Sequence, residues 1–350
     1  MNILKKIKHK PKKLKISACY IVKNNADELK ISIESLKHAA DEIIVVDTGS
    51  TDKTVEVAES LGAKVFFREW DDDFSAPRNL AISKASGDWI IFLDSDEYFT
   101  DETKKNIRPI IERLEEVKKT GLLVHRLNTD KNSDNKIINS DYSMRILKNQ
   151  SGLHYIGKIH EQPEVGGKDL INVTIAPPNI LTLYHTGYSG ALSKSKAERN
   201  LKLLLEELAE TNNPQRVYGY IAECYDGLED YVNAEKFARL DIETGGTKKL
   251  FSTGSYRIIL NILSKDISRI DDREKFAELA IKDFPALPEF TAELAECFAV
   301  KKDFQKAVET MKSAIEKFRN YKEIEPTVFN EDIVNFAEKR LKIWKEKILL

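Results

Sequence analysis

One apolar run in this chain, Trp89-Ile90-Ile91-Phe92-Leu93, leads directly into Asp94-Ser95-Asp96-Glu97. A run of that composition reads as a buried strand, and unpaired charge is costly to bury. The acids must therefore emerge where the strand leaves the core. Alternate residues of an extended chain share a face, so Asp94 and Asp96 reach one crevice and offer hard oxygen ligands to a divalent cation, Mn2+ or Mg2+. A cation held there implies a phosphorylated ligand. Aspartates also end strands with no ligand at all, so the pattern needs its context.

That context is a series of polar blocks, each following an apolar run. Ala18-Cys19-Tyr20-Ile21-Val22 precedes Lys23-Asn24-Asn25, and Ile43-Ile44-Val45-Val46 precedes Asp47-Thr48-Gly49-Ser50. Phe74-Ser75-Ala76-Pro77-Arg78-Asn79 then stands before Ala85-Ser86-Gly87-Asp88-Trp89. The runs 15–22, 42–47, 63–67 and 88–93 are strand-like, with helical spacing between them at Leu29, Ile33, Leu36 and at Thr54, Val57, Ala58, Leu61. Such alternation predicts a parallel sheet covered on both faces, whose ligands lie beyond the carboxyl ends of the strands. The blocks at Lys23-Asn24, Asp47-Thr48-Gly49-Ser50 and Asp94-Ser95-Asp96 each follow a strand directly and so converge there.

In order and spacing these blocks resemble the nucleotide-binding half of family 2 glycosyltransferases of the GT-A fold. The resemblance implies an α/β, Rossmann-like and mostly parallel central sheet over about residues 15–190. It implies that Val22, Lys23, Asn24 and Asp47 line a nucleotide pocket, with Asp47 on the base or ribose. An Asp opening the turn before Gly49 is the alternative for that residue. Arg78 and Asn79 stand where relatives carry an Arg-Asn pair, and a guanidinium pairs with diphosphate oxygens in a fork; a salt bridge to Asp71, Asp72 or Asp73 is the alternative. Asp96 is expected to ligate the cation directly and Asp94 to contact ribose, or the cation through water. His185, in His185-Thr186-Gly187-Tyr188, resembles a histidine that reaches back to the metal. Relatives usually carry glutamate where this chain has Asn25.

From 121 to 188 the texture changes to extended pieces at 122–127, 142–147, 155–159 and 180–185, broken by Gly166-Gly167 and Pro177-Pro178. These predict a mixed-sheet half facing the acceptor. An inverting transfer needs a base opposite the leaving diphosphate, and Asp94 and Asp96 belong to the metal side. Among Asp141, Glu161 and Glu164, Glu161 follows the strand-like Tyr155–His160 directly and is the expected base. A glutamate capping the turn before Pro163 is the plainer reading.

Beyond Ser189 the chain reads helical. Ala222-Glu223-Cys224-Tyr225 recurs 73 residues later as Ala295-Glu296-Cys297-Phe298, near twice a tetratricopeptide period. Tyr231 with Ala234 is echoed by Phe304 with Ala307, and a degenerate middle unit is expected at about 254–285. The expected organisation is a basic arm at 1–14, the GT-A domain at 15–190 and an all-α tetratricopeptide-like domain at 191–350. An apolar stripe at Val334, Ala337, Leu341, Trp344 and Ile348 either seals the array or pairs with a second copy as a homodimer.

At 350 residues with 41% hydrophobic and 32% charged residues, the composition is that of a soluble two-domain protein. A net charge of −2 gives no drive toward nucleic acid. The first fifteen residues hold seven lysines and no acid, a solvated arm or a weak contact to an anionic membrane surface. Cys19, Cys224 and Cys297 have no paired spacing and read as small apolar residues of a reducing, cytoplasmic compartment. The resemblance implies an inverting glycosyltransferase that moves a sugar from a nucleotide-diphosphate sugar, a UDP-sugar, to a hydroxyl or thiol of a saccharide, lipid-linked saccharide or peptide acceptor. Its rivals are an inactive transferase-fold scaffold binding a peptide through its repeats, and a nucleotidyltransferase. The latter needs a glycine-rich basic loop after the first strand, where this chain has Val22-Lys23-Asn24-Asn25-Ala26-Asp27.

Overall fold

The computed structural model describes residues 13–130, 136–187, 194–245, 252–323 and 325–349. Most of the lysine-rich arm lies outside them. Contacts divide the chain into two units, Met1–Ala191 and Leu192–Leu350.

The first unit is built on the runs whose β-branched content cannot be left in water. β1 (Ile16–Val22), β2 (Glu42–Asp47), β3 (Lys64–Phe67) and β4 (Trp89–Asp94) are parallel neighbours in the order β3-β2-β1-β4. The connecting helices are α1 (Ala26–Leu36), α2 (Thr54–Ser60) and α3 (Ser75–Lys84). Side chains alternate across the sheet. Ile16, Ala18 and Tyr20 meet Leu29, Ile33 and Leu36 of α1 and Ile107, Ile110 and Ile111 of α4 (Ile107–Glu116) on one face. Cys19, Ile44, Ile90 and Phe92 meet Ala81 of α3 on the other.

The sheet then changes character. β7 (Lys136–Lys148) runs antiparallel to both β4 and β6 (Gly121–Asp130), and β11 (Thr182–His185) is parallel to β6. β5 (Glu97–Phe99) pairs antiparallel with β11, and β10 (Val173–Ile175) pairs with β6. This mixed, mostly parallel sheet is the GT-A-like arrangement expected from the resemblance.

One expected strand is cut short. β8 (Leu153–Ile156) stops where Gly157 takes φ +99° and His160 takes φ +51°, left-handed values that break an extended ladder. Glu161 therefore does not continue a strand from Tyr155; it sits just before β9 (Gln162–Val165), the antiparallel partner of β8.

The second unit is helical throughout its described residues: α5 (Lys194–Glu210), α6 (Tyr218–Gly227), α7 (Tyr231–Glu243), α8 (Gly254–Ser264), α9 (Ile270–Asp283), α10 (Pro288–Val300), α11 (Phe304–Arg319) and α12 (Glu331–Ile348). The sequence recurrence is a recurrence of geometry. Glu229 and Lys302 both take positive φ, +63° and +66°, and Asp230 and Asp303 after them cap α7 and α11 by accepting from Asn233 N and Lys306 N. Ala222, Ala234, Ala295 and Ala307 have no exposed surface, the close helix approach that small residues permit. The apolar stripe of α12 is consumed within this unit: Val334, Ala337, Leu341 and Trp344 pack against α11 residues such as Val308, Met311 and Ile315, while Ile348 stays exposed. No helix among the described residues is long and apolar enough to cross a membrane.

Gly87 governs the entry into β4. Its N–H donates to Ser17 Oγ at 2.8 Å, and a Cβ there would lie 2.7 Å from Ser17 N and 2.9 Å from Trp89 O. Backbone cannot swing aside as a side-chain tip can. Gly87→Ala is expected to destabilise the protein by about 1–3 kcal/mol, read from denaturant midpoints.

Candidate active site

Parallel pairing brings the strand ends together. Val22 lies opposite Asp47 and Ile21 opposite Asp94, so β2, β1 and β4 present their last residues along one edge. Asp47 Oδ1 accepts from Gly49 N at 3.0 Å and Ser50 N at 2.9 Å, a turn that needs Gly49 at φ +105°. Its other oxygen, Oδ2, is buried with no hydrogen-bond partner among the described residues. The turn reading of Asp47 is the one seen, made by Oδ1, while Oδ2 takes no part in it. That carboxylate lines a cleft of about 440 Å³ with Lys23, Phe67, Arg68 and Trp70. Arg68 Nε is likewise buried and unpartnered, although Arg68 pairs with Asp71 at 2.5 Å. The cleft thus holds one buried acceptor and one buried donor without partners among the described residues, beside the rings of Phe67 and Trp70.

Other residues expected at the pocket hold its walls instead. Val22 packs in the core, and its carbonyl accepts from Thr48 N at 2.9 Å. Asn24, at φ +51°, spends its amide oxygen on Thr51 N at 2.7 Å and its own N–H on Ser50 Oγ at 2.9 Å, joining the loops after β1 and β2. Asn25 donates to Ser95 Oγ at 2.8 Å. Asn79 binds both backbone groups of Tyr155, accepting from its N–H at 2.7 Å and donating to its carbonyl at 2.9 Å. Both ends of that amide are thus anchored to backbone. Motif matching names a residue type; only the fold says which way it faces.

Arg78 is also turned inward. It is buried over the rings of Phe92 and Tyr155, 4.6 and 5.4 Å from their centroids. It pairs with neither Asp71, Asp72 nor Asp73. Its Nη2 donates to Asp94 Oδ1 at 2.7 Å and its Nε to Glu161 Oε1; Asp73 instead caps α3 through Ser75 N and Ala76 N.

A run of alternating charge extends from there. Arg145 Nη2 donates to Asp94 Oδ2 and Glu97 Oε1, both at 2.7 Å. Glu97, with no exposed surface, also receives Arg126 Nη1 at 3.2 Å and the Asp94 N–H at 3.2 Å. Arg126 forks onto Asp141 through Nε and Nη2, each at 2.8 Å. Burial alone would raise the Asp94 carboxyl, but the charges of Arg145 and then Arg78 outweigh it and hold it far below the ordinary range. For Asp141 burial is likewise outweighed, here by Arg126. Both Asp94 oxygens are thus occupied by guanidinium groups, which leaves Asp96 as the acid of the pair available for ligation.

Asp96 faces His185: Oδ2 lies 3.6 Å from Nε2. Thr186 N and Oγ1 hold the Asp96 carbonyl at 3.0 and 3.2 Å. Gly187 completes the cradle, since a Cβ there would fall 1.8 Å from Asp96 Oδ2 and 3.5 Å from His185 Nε2.

The family model described as Glycosyl transferase family 2 matches residues 17–169, which contain the cleft and the charge run. This segment is a family 2 glycosyltransferase domain. Among relatives, the SPbeta prophage-derived glycosyltransferase SunS of Bacillus subtilis is 28% identical over 219 residues, covering 60% of this chain and 49% of its own length. A TPR repeat-containing protein of Synechococcus elongatus is 44% identical over 100 residues, 29% of this chain and 25% of that one. The chain thus spans a quarter to a half of these relatives. The structure of S. aureus TarS aligns with a TM-score of 0.39 at 16% identity, over 87% of this chain and 55% of the other.

The fit to a cation rests on Asp96, within the matched segment, and on His185 and the space kept by Gly187, which lie beyond it. Among the described residues no three His, Cys, Asp or Glu side chains gather as a ready cage. Two protein ligands suit a Mn2+ or Mg2+ ion that takes its remaining oxygens from substrate phosphates and water. The lip of the cleft is tied to the neighbourhood of Glu161: Phe74 N donates to Lys158 O at 2.9 Å and Ser75 Oγ to Gly157 O at 2.5 Å. Trp70, edge-on to Phe74, donates to Asp72 Oδ1 at 2.9 Å.

Sequence reading missed the parts played by Arg68, Glu97, Arg126, Arg145 and Gly187. One signal was present: Arg145 interrupts an apolar strand, Met144-Arg145-Ile146-Leu147, and an arginine there requires a buried acid. Gly187→Ala should displace the Asp96 carboxylate while the fold persists. The expected result is unchanged circular dichroism with transfer reduced by about 10-fold or more.

Proposed function

We propose that this chain is an inverting glycosyltransferase that moves a sugar from a UDP-sugar to a hydroxyl or thiol of a saccharide, lipid-linked saccharide or peptide acceptor. The observation that carries the reading is the buried, unpartnered Oδ2 of Asp47 in a cleft at the same sheet edge as the end of β4. A carboxylate there accepts from the N3–H of uracil, where cytosine would present a lone pair. Arg68 and Lys23 supply the positive charge that a diphosphate requires. Asp96 and His185 would hold a divalent cation, which when bound offsets the charge growing on the leaving diphosphate.

Glu161 takes the role of base. As the acceptor oxygen or sulfur attacks the anomeric carbon, its proton passes to the carboxylate and the bond to the diphosphate breaks on the opposite face. Oε1 is engaged by Arg78, so the proton goes to Oε2. Arg78 keeps the glutamate from swinging, the orientation a base must keep throughout the step.

Incubation with a set of nucleotide sugars and no acceptor tests the donor assignment. Slow release of UDP from one of them is expected with Mn2+ or Mg2+, and it should vanish in excess chelator and in Asp96→Ala. Full activity in chelator overturns the cation role, and no hydrolysis or binding of any nucleotide sugar favours an inactive scaffold. Glu161→Gln keeps shape and hydrogen bonding but not basicity. It should bind UDP as the wild type does and lose transfer by about 10²- to 10⁴-fold; near-normal transfer would move the base elsewhere.

A further inference from the structure

Asn128 is almost completely buried on β6, opposite His185 on one side and Asn139 on the other. The β6–β7 register shifts between Asn128 and Thr129, the kind of irregularity that re-aims a side chain. Its amide has a determined orientation. Nδ2 donates to Asn139 Oδ1 at 2.7 Å and to Asp141 Oδ2 at 3.1 Å, and a carboxylate paired with Arg126 can only accept. Reversing the amide would set its oxygen against that carboxylate. Oδ1 therefore faces His185 Nδ1, 2.8 Å away, and Nδ1 carries the proton. In the neutral ring this leaves the lone pair on Nε2, the atom 3.6 Å from Asp96 Oδ2.

We infer that Asn128 is a positioning residue that fixes the tautomer of His185 so that Nε2 and Asp96 present two acceptors to a shared cation. The inference rests on the cation-dependent reading above. Asn128 is itself held from the core: Asp141 by both arms of Arg126, Arg126 by Glu97, and Glu97 by Arg145. Thr129 Oγ1 meets the His185 carbonyl at 3.4 Å, so ring and backbone are both fixed from β6. Partners that fix the second nitrogen of a ligating histidine are worth about 10- to 100-fold in metal affinity or activity.

Two measurements test this. Nitrogen-15 spectra of histidine-labelled wild-type protein without metal, with His185 assigned from the spectrum of His185→Gln, should show the Nδ1–H tautomer. Titration of Mn2+ in the presence of UDP, followed by the electron paramagnetic resonance of free Mn2+, should show affinity about 10- to 100-fold weaker in Asn128→Leu, with metal-free UDP binding unchanged. An Nε2–H tautomer beside normal wild-type Mn2+ binding overturns this inference alone, as does a folded Asn128→Leu with wild-type affinity. Should that variant not fold, the wild-type spectrum decides. A wild-type protein that binds no Mn2+ with UDP overturns the cation reading itself and, with it, the purpose assigned to the tautomer.

Discussion

The carboxylate of Glu97, sealed from solvent, is the charge on which this edge of the sheet is assembled. It accepts from two guanidinium groups and from the Asp94 backbone, and those guanidiniums reach outward to Asp94 and Asp141. Such a group is costly to desolvate, and removing one partner of a buried pair typically costs about 3–5 kcal/mol. Alternation of sign is therefore a condition of folding as well as an ordering device. Three arginines from α3, β6 and β7 are each placed between acids, so β4, β5, β6 and β7 can meet over polar residues without leaving a lone charge.

The same constraint explains why the sheet mixes directions. A purely parallel sheet would bring only strand ends to the edge, where the charged ones, Asp47 and Asp94, are both acids. β7, antiparallel to β4, carries Arg145 back past Asp94, while its other neighbour β6 brings Arg126 alongside. The parallel half ends in the carboxylates of Asp47 and Asp94; the antiparallel half brings Arg145 to Asp94 as counter-charge.

Much of the architecture was legible in the residues. Alternating strand and helix signals between 15 and 94 lie close to the observed elements, because buried parallel strands tolerate few side chains other than the β-branched and aromatic ones found there. The helical repeat was legible from Ala222 and Ala295, whose size is set by helix contact. What failed was orientation. Val22, Asn24, Arg78 and Asn79 occupy motif positions, yet their side chains serve wall, loop, ion pair and backbone, choices decided by neighbours far away in sequence. Glu97 stood in plain view beside Asp96, but its partners are 29 and 48 residues on and could not be identified from local pattern. The extended run at Tyr155 misled because Gly157 and His160 adopt left-handed backbone that composition does not announce.

The two hydrogen bonds from Phe74 and Ser75 to Lys158 and Gly157 join surfaces with different tasks. One is the rim beside the cleft that Asp47 and Trp70 line, and the other is the loop that runs into Glu161. A rim that shifts by an ångström must drag that loop along or sever both bonds. Movement of the rim and movement of the loop that carries Glu161 are therefore coupled, with the glutamate side chain itself held by Arg78.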